Sequence, residues 1–189
     1  DSNELYYPNT HNSKQVAYNI NTTHAFVHHG ASSNTYTDGA DVARFYWTIH
    51  VVNNGWKDIA YNYLVDRFGN LYQGRYNPDF PNQDAWGAHT GVCNPYSFAI
   101  CMMGNLDTIY PTDSSVSALA EMLAYKMNLR NLDPLGVNHI VSNTIDVISG
   151  HRDAPGSSTA CPGDSLYSYL PMIRQMVKDK LDSCQNNID

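Results

Sequence analysis

Basic residues are scarce in this chain. Of 189 residues only 11 are Lys or Arg against 18 Asp or Glu, which leaves a net charge of −7. No basic run is present, and that excludes the usual electrostatic hold on nucleic acid, on an acidic membrane surface or on an acidic wall polymer. Long apolar runs are missing too. None reaches the roughly 18 residues that span a bilayer, so no membrane insertion is expected. The opening residues, Asp1-Ser2-Asn3-Glu4, are polar and acidic, unlike a secretory leader. A mature chain whose leader has been removed reads the same way, and a secreted or periplasmic location is the expectation. Repeats, linkers and low-complexity segments are also absent, and the length suits one domain with a sizeable core.

Cysteine is sparse, with Cys93, Cys101, Cys161 and Cys184 the four present. Cys101 lies in the apolar run Phe98-Ala99-Ile100-Cys101-Met102-Met103 and reads as a core thiol. Cys161 lies in a different setting, the stretch Ser149 to Gly163, which is full of Gly, Pro and Ser and also holds His151. Such a loop can fold back, so that both side chains reach one ion. Imidazole nitrogen and thiolate sulfur are common zinc ligands, and a third must come from elsewhere. Val27-His28-His29-Gly30, ending the apolar run Ala25-Phe26-Val27, is the best donor. Successive strand residues face opposite sides, so only one of His28 and His29 can reach the ion, and alternation does not choose between them. Three protein ligands leave a position open for water, which is a catalytic rather than a structural arrangement.

What is plentiful is Asn, Ser, Thr and Tyr. Fourteen tyrosines suit a surface that meets sugars and peptides, and equally a packed core. Residues 1–23 are polar and read as an N-terminal extension, residues 24–182 as the domain, and 183–189 as a polar tail. A strand is predicted over 24–29. A helix follows over 40–53, from the spacing of Val42, Phe45, Tyr46, Ile49 and Val52, with Asp38 or Asp41 as cap. Residues 59–65 and 71–75 read as a hairpin, and 97–103 as a buried strand. Helices are predicted over 115–129, capped from Thr112, Asp113 or Ser114, and over 165–181. Residues 137–147 give only a weak strand-and-turn signal. Strands and helices mix without strict alternation, which points to a single three-layer α/β domain with a central mixed β-sheet and helices packed on it.

Seven stretches then line up in order: Phe26-Val27-His28-His29, Gly55 to Tyr63, Gly69 to Arg75, Gly87-Ala88-His89-Thr90-Gly91, Ser97-Phe98-Ala99-Ile100, Gly150-His151-Arg152-Asp153 and Cys161-Pro162-Gly163. Together they resemble the zinc-dependent N-acetylmuramoyl-L-alanine amidases of the type 2 class, the family shared with peptidoglycan recognition proteins and phage T7 lysozyme. The resemblance covers about residues 24 to 180. It implies a Zn2+ ion at the floor of a surface groove, held by His28, His151 and Cys161, with His29 and His50 structural. It implies Tyr61 as the catalytic side chain, with Thr159 adding a hydrogen bond, and His89 and Asn94 as substrate-binding residues. The expected reaction is hydrolysis of the amide between N-acetylmuramic acid and L-alanine in peptidoglycan or muropeptides, by a monomer. The alternative is a non-catalytic peptidoglycan-binding recognition module, in which the resemblance implies loss of the Cys ligand. The chain departs from two branches of the family. No acid stands in Ile100 to Gly104, where one branch has a glutamate. Thr159 stands where the phage branch has a lysine.

Overall fold

A computed structural model describes residues 17–19 and 21–185. Residues 1–16 and 20 of the expected extension, and 186–189 of the expected tail, lie outside the described residues. The centre of the fold is β1 (His24–His29), whose six residues are all buried. It is flanked by two parallel partners, β4 (Ser97–Met102) and β7 (Ile148–Gly150), with Val27 opposite Ile100 and Gly150. Next to β4 lies β2 (Tyr63–Val65), also parallel, and β3 (Leu71–Gln73) closes the edge antiparallel to β2. The sheet is therefore mixed, as expected. A separate hairpin, β5 (Val137–Ile140) with β6 (Asn143–Asp146), occupies the segment whose sequence signal was weak.

Strand alternation sorts side chains onto two layers. Ala25, Val27, Val65, Phe98, Ile100 and Met102 face α2 (Asp113–Arg130) and α3 (Asp164–Gln185), which present Leu119, Leu123 and Met127, and Leu166, Leu170, Ile173 and Val177. Leu64 and Cys101 face the opposite way, onto α1 (Gly39–Trp47) through Val42, Ala43 and Tyr46. Cys101 is thus the core thiol its apolar run predicted. Asp38 caps α1, its side chain accepting from Ala40 N at 2.8 Å, and Thr112 caps α2.

Among the boundaries that differ from the sequence reading, three are instructive. The first helix is α-helical only to Trp47 and widens into a π-helical turn over Thr48–Asn53, closed by Asn54 N–H donating to Ile49 O at 3.0 Å. Regular strand begins at Tyr63 rather than at 59. Upstream, backbone bonds continue irregularly, Asn62 N donating to Ala99 O at 3.2 Å and Gly74 N to Asn62 O at 2.9 Å, and the Asn62 side chain adds to them, donating to Ala85 O at 2.7 Å and accepting from Ala99 N at 2.8 Å. The last helix continues through Gln185, past the expected start of the tail, with Ser183 Oγ donating to Lys180 O at 2.9 Å.

Candidate metal centre

His28 and His29 sit side by side near the end of β1 and point to opposite faces. His29 turns toward the α2/α3 side, where its Nδ1 accepts from Leu106 N at 3.1 Å. His28 turns the other way, and its Nδ1 lies 3.6 Å from Cys161 Sγ. The choice that alternation left open is made here by neighbours: only His28 meets the sulfur and His151. One ligand atom from each of His28, His151 and Cys161 falls within 4.8 Å of the others.

The second and third groups come from a tightly tied loop. His151 begins a short 3-10 turn, His151–Asp153, directly after β7. Gly150 N donates to Asp153 Oδ2 at 2.8 Å, and Tyr167 OH donates to Asp153 Oδ1 at 2.7 Å. Arg152 N donates to Cys161 O at 2.9 Å, which folds the Gly- and Ser-rich stretch back so that Cys161 meets the strand end. Thr159 is exposed, and its Oγ1 accepts from Cys161 N at 3.1 Å. Its hydroxyl proton remains free to point outward.

Burial sets the electrostatics. The His28 imidazole is pushed well below 6.5, first by burial and then by His89, His151 and His29 nearby. His151 is lowered by burial and by His29. Burial raises the Cys161 thiol to about 11, against the opposing pull of the His29 backbone and Arg152. All three groups are neutral as they stand. Two imidazole nitrogens and one sulfur, converging and uncharged, form a soft donor set that suits zinc, and binding would displace the thiol proton.

Tyr61 is half-buried, with its ring 5.2 Å from His28 and 5.7 Å from His50. Burial, then Cys101 and Cys161, hold its hydroxyl well above 10, so it keeps its proton. His50 sits on the π-helical turn, stacked on Trp56 at 5.0 Å, and its Nδ1 accepts from Ala60 N at 3.3 Å. That contact fixes the backbone next to Tyr61, which fits the structural role expected of His50. A cavity of 590 Å³ opens on this side, lined by Tyr46, Phe45, Ile49, His50, Tyr61 and Ser32 among others. It shares Tyr61 with the metal cluster, whereas His28, His151 and Cys161 lie behind that ring.

His89 is buried, with its Nδ1 3.3 Å from His28 Nε2. Burial, His151 and Arg75 lower it to about 3. Asn94 Oδ1 accepts from the backbone N–H groups of His89 at 3.0 Å and Thr90 at 2.9 Å, locking the loop. Sequence reasoning missed this contact between His89 and His28. Gly87 stands beside the ring, and a Cβ there would lie 2.3 Å from His89 Cδ2. That glycine is there to let the imidazole in.

The family model for N-acetylmuramoyl-L-alanine amidases matches residues 18–164. Peptidoglycan-recognition protein SC1a of Drosophila melanogaster is 31% identical over 152 residues, covering 78% of this chain and 71% of that protein. Among solved structures, wild-type Drosophila PGRP-LB superposes with a TM-score of 0.66 at 24% identity, over 83% of this chain and 84% of that one. The N-acetylmuramoyl-L-alanine amidase LysC of Clostridium intestinale gives a TM-score of 0.62 at 23% identity, over 90% of this chain and 91% of that one. At that identity the two structures speak for the fold alone.

Proposed function

This chain belongs to the N-acetylmuramoyl-L-alanine amidase family, and we propose that it is a working zinc amidase, secreted as a monomer, that cleaves N-acetylmuramic acid from L-alanine in peptidoglycan or muropeptides. The observation that carries this reading is the convergence of His28, His151 and Cys161 within 4.8 Å. A recognition module without catalysis has no need of a thiol there. The recognition names of the relatives favour the second reading, binding without cleavage, and the presence of Cys161 and Tyr61 weighs against it.

An amide is a poor electrophile and water a poor nucleophile at neutral pH. His28, His151 and Cys161 would hold zinc, which would serve as a Lewis acid and lower the pKa of a water to about 7. The chain's own groups do the rest. Tyr61, protonated at any working pH, donates from its hydroxyl to the carbonyl oxygen as negative charge develops there. Thr159 holds the Cys161 amide and offers its outward proton to the same oxygen or to substrate. The cavity beside Tyr61 receives the stem peptide, with Phe45 and Ile49 for its apolar parts. Asn94 commits its carbonyl to the loop, and its Nδ2 is left to meet a peptide carbonyl. Among the described residues no helix is long and apolar enough to cross a membrane.

The test is mass spectrometry of digested peptidoglycan carrying either lysine or diaminopimelate at the third stem position. Free stem peptides beginning with L-alanine are expected from at least one. Zinc-replete protein that binds muropeptide and releases none would establish the recognition module.

A further inference from the structure

The contact between His28 and His89 decides which nitrogen of His28 is available. A neutral imidazole carries one proton, on Nδ1 or on Nε2. His28 Nδ1 faces Cys161 Sγ at 3.6 Å, and His28 Nε2 faces His89 Nδ1 at 3.3 Å. If His89 carries its proton on Nδ1, it donates to His28 Nε2. The His28 proton is then forced onto Nδ1, where it points at the sulfur and blocks an ion. If His89 Nδ1 is a lone pair, His28 Nε2–H donates to it, and His28 Nδ1 is free to ligate.

Only the second arrangement leaves His28 Nδ1 free on the side of Cys161, and the surroundings permit it. Thr90 Oγ1 lies 3.1 Å from the same His89 Nδ1 and 3.3 Å from Asn94 Oδ1. Asn94 Oδ1 can only accept, and so can a deprotonated Nδ1, so the hydroxyl proton serves either one. A protonated His89 Nδ1 would instead have to donate to Thr90 or His28. The ring cannot turn away. It is edge-on to His28 with centroids 5.1 Å apart, lies 6.2 Å from the Phe26 ring, and fills the space that a Cβ on Gly87 would occupy. Asn94 pins its backbone through the N–H groups of His89 and Thr90. Its other nitrogen, Nε2, then carries the proton and is buried with no hydrogen-bond partner among the described residues.

We infer that His89 is a positioning residue for the metal: its Nδ1 accepts from His28 Nε2–H and so fixes His28 as an Nδ1 ligand. The inference rests on the metal reading above. It gives the buried imidazole a task distinct from touching substrate. Partners of this kind typically change metal affinity by about 10- to 100-fold when removed.

The experiment is zinc affinity by chelator competition on the full chain, comparing parent, Cys161→Ser, His89→Leu and His89→Asn. In the Asn variant Oδ1 takes the place of Nδ1 and still accepts; Leu keeps the bulk and cannot. His89→Leu should bind zinc about 10- to 100-fold more weakly, and His89→Asn should recover most of that loss. Equal affinity in parent and His89→Leu, or equal loss in Leu and Asn, would overturn the inference. A parent that binds zinc no better than Cys161→Ser would instead overturn the metal reading beneath it. Nitrogen-15 imidazole spectra of the zinc-loaded parent give a readout that needs no His89 variant. Protonated Nε2 on both His28 and His89 is expected, and a proton on His89 Nδ1 would defeat the inference.

Discussion

The buried polar clusters around Asp84 and around His28 are built on opposite terms. Around Asp84 the charges are full and matched. Its carboxylate accepts from Lys126, from Arg130 Nε at 2.8 Å and from Thr22 Oγ1 at 2.8 Å. Burial alone would raise the Asp84 pKa, but Arg130 and Lys126 outweigh it and hold the carboxyl below its usual range. On Lys126 burial wins and the pKa falls, although Asp84 opposes it. Around His28 every group is neutral, and lone pairs rather than opposite charges converge. The first cluster is complete within the chain and ties the loop before Gly87 to α2. The second has donor atoms to spare. A satisfied buried network is a structural device, and a convergent set of unspent lone pairs is a binding device.

The sharpest way to break this contrast is to damage each cluster alone. Cys161→Ser replaces the thiolate donor by a neutral hydroxyl, so zinc should be essentially lost in elemental analysis. The melting temperature of chelator-treated protein should move little, because the core is large without the ion. A variant that kept full zinc and full hydrolysis would place the chemistry elsewhere. Asp84→Asn should do the reverse. Stranding two buried cations costs about 3–5 kcal/mol in urea unfolding, while zinc affinity in the folded protein stays at the parental value. A loss of zinc binding in that variant would mean that the two clusters are coupled.

Tyr61→Phe tests whether the neutral cluster is catalytic or merely binds metal. It keeps the ring against His28 and removes one hydroxyl. Turnover should drop on the order of 10²–10³-fold, with KM and zinc content near parental values. Parental kcat would make Tyr61 a packing residue. The remaining effect is on acid stability of the metal-free protein. His50 and His89 are held at about 4 and about 3 when folded, against about 6.5 when unfolded. Above pH 6.5 both states are neutral at these groups. Below it the unfolded chain takes up protons that the folded one refuses, so the urea midpoint should fall progressively from pH 7 toward pH 4. A flat profile would show that these imidazoles titrate normally.

Much of this was readable in the chain because periodicity reports burial. The run Ala25-Phe26-Val27 marked the central strand, and the spacing of Leu119, Leu123 and Met127 marked a core helix. Residue type narrowed the caps to Asp38 or Asp41 and to Thr112, Asp113 or Ser114, and the structure uses Asp38 and Thr112. What escaped was structure held by side chains instead of by pattern. Around residues 59–62 the Asn62 and Arg75 side chains interleave with the backbone bonds, the latter donating to Ile59 O at 2.7 Å, and the run that looks like strand becomes regular strand only at Tyr63. The hairpin at 137–146 is largely exposed and polar, and it shows no clean alternation to read. At the site, residue types named the candidate ligands, but the His28–His89 contact joins residues 61 positions apart. No local spacing could reveal it.

The place of β1 in the sheet also dictates an order of events during synthesis. Its neighbours are β4, starting at Ser97, and β7, starting at Ile148. The strand bearing His28 is therefore made early and waits for most of the chain before both its edges are paired. Such long-range parallel pairing is slow, and an unpaired apolar strand is a target for self-association while it waits. A nascent chain stopped before residue 148 would leave β1 with one open edge and only one member of the ligand set. Cys161 arrives later still, on the loop leading into α3. On the metal reading proposed above, capture would come at the end of assembly, and an ion bound through all three side chains would certify that the first strand has found the last one.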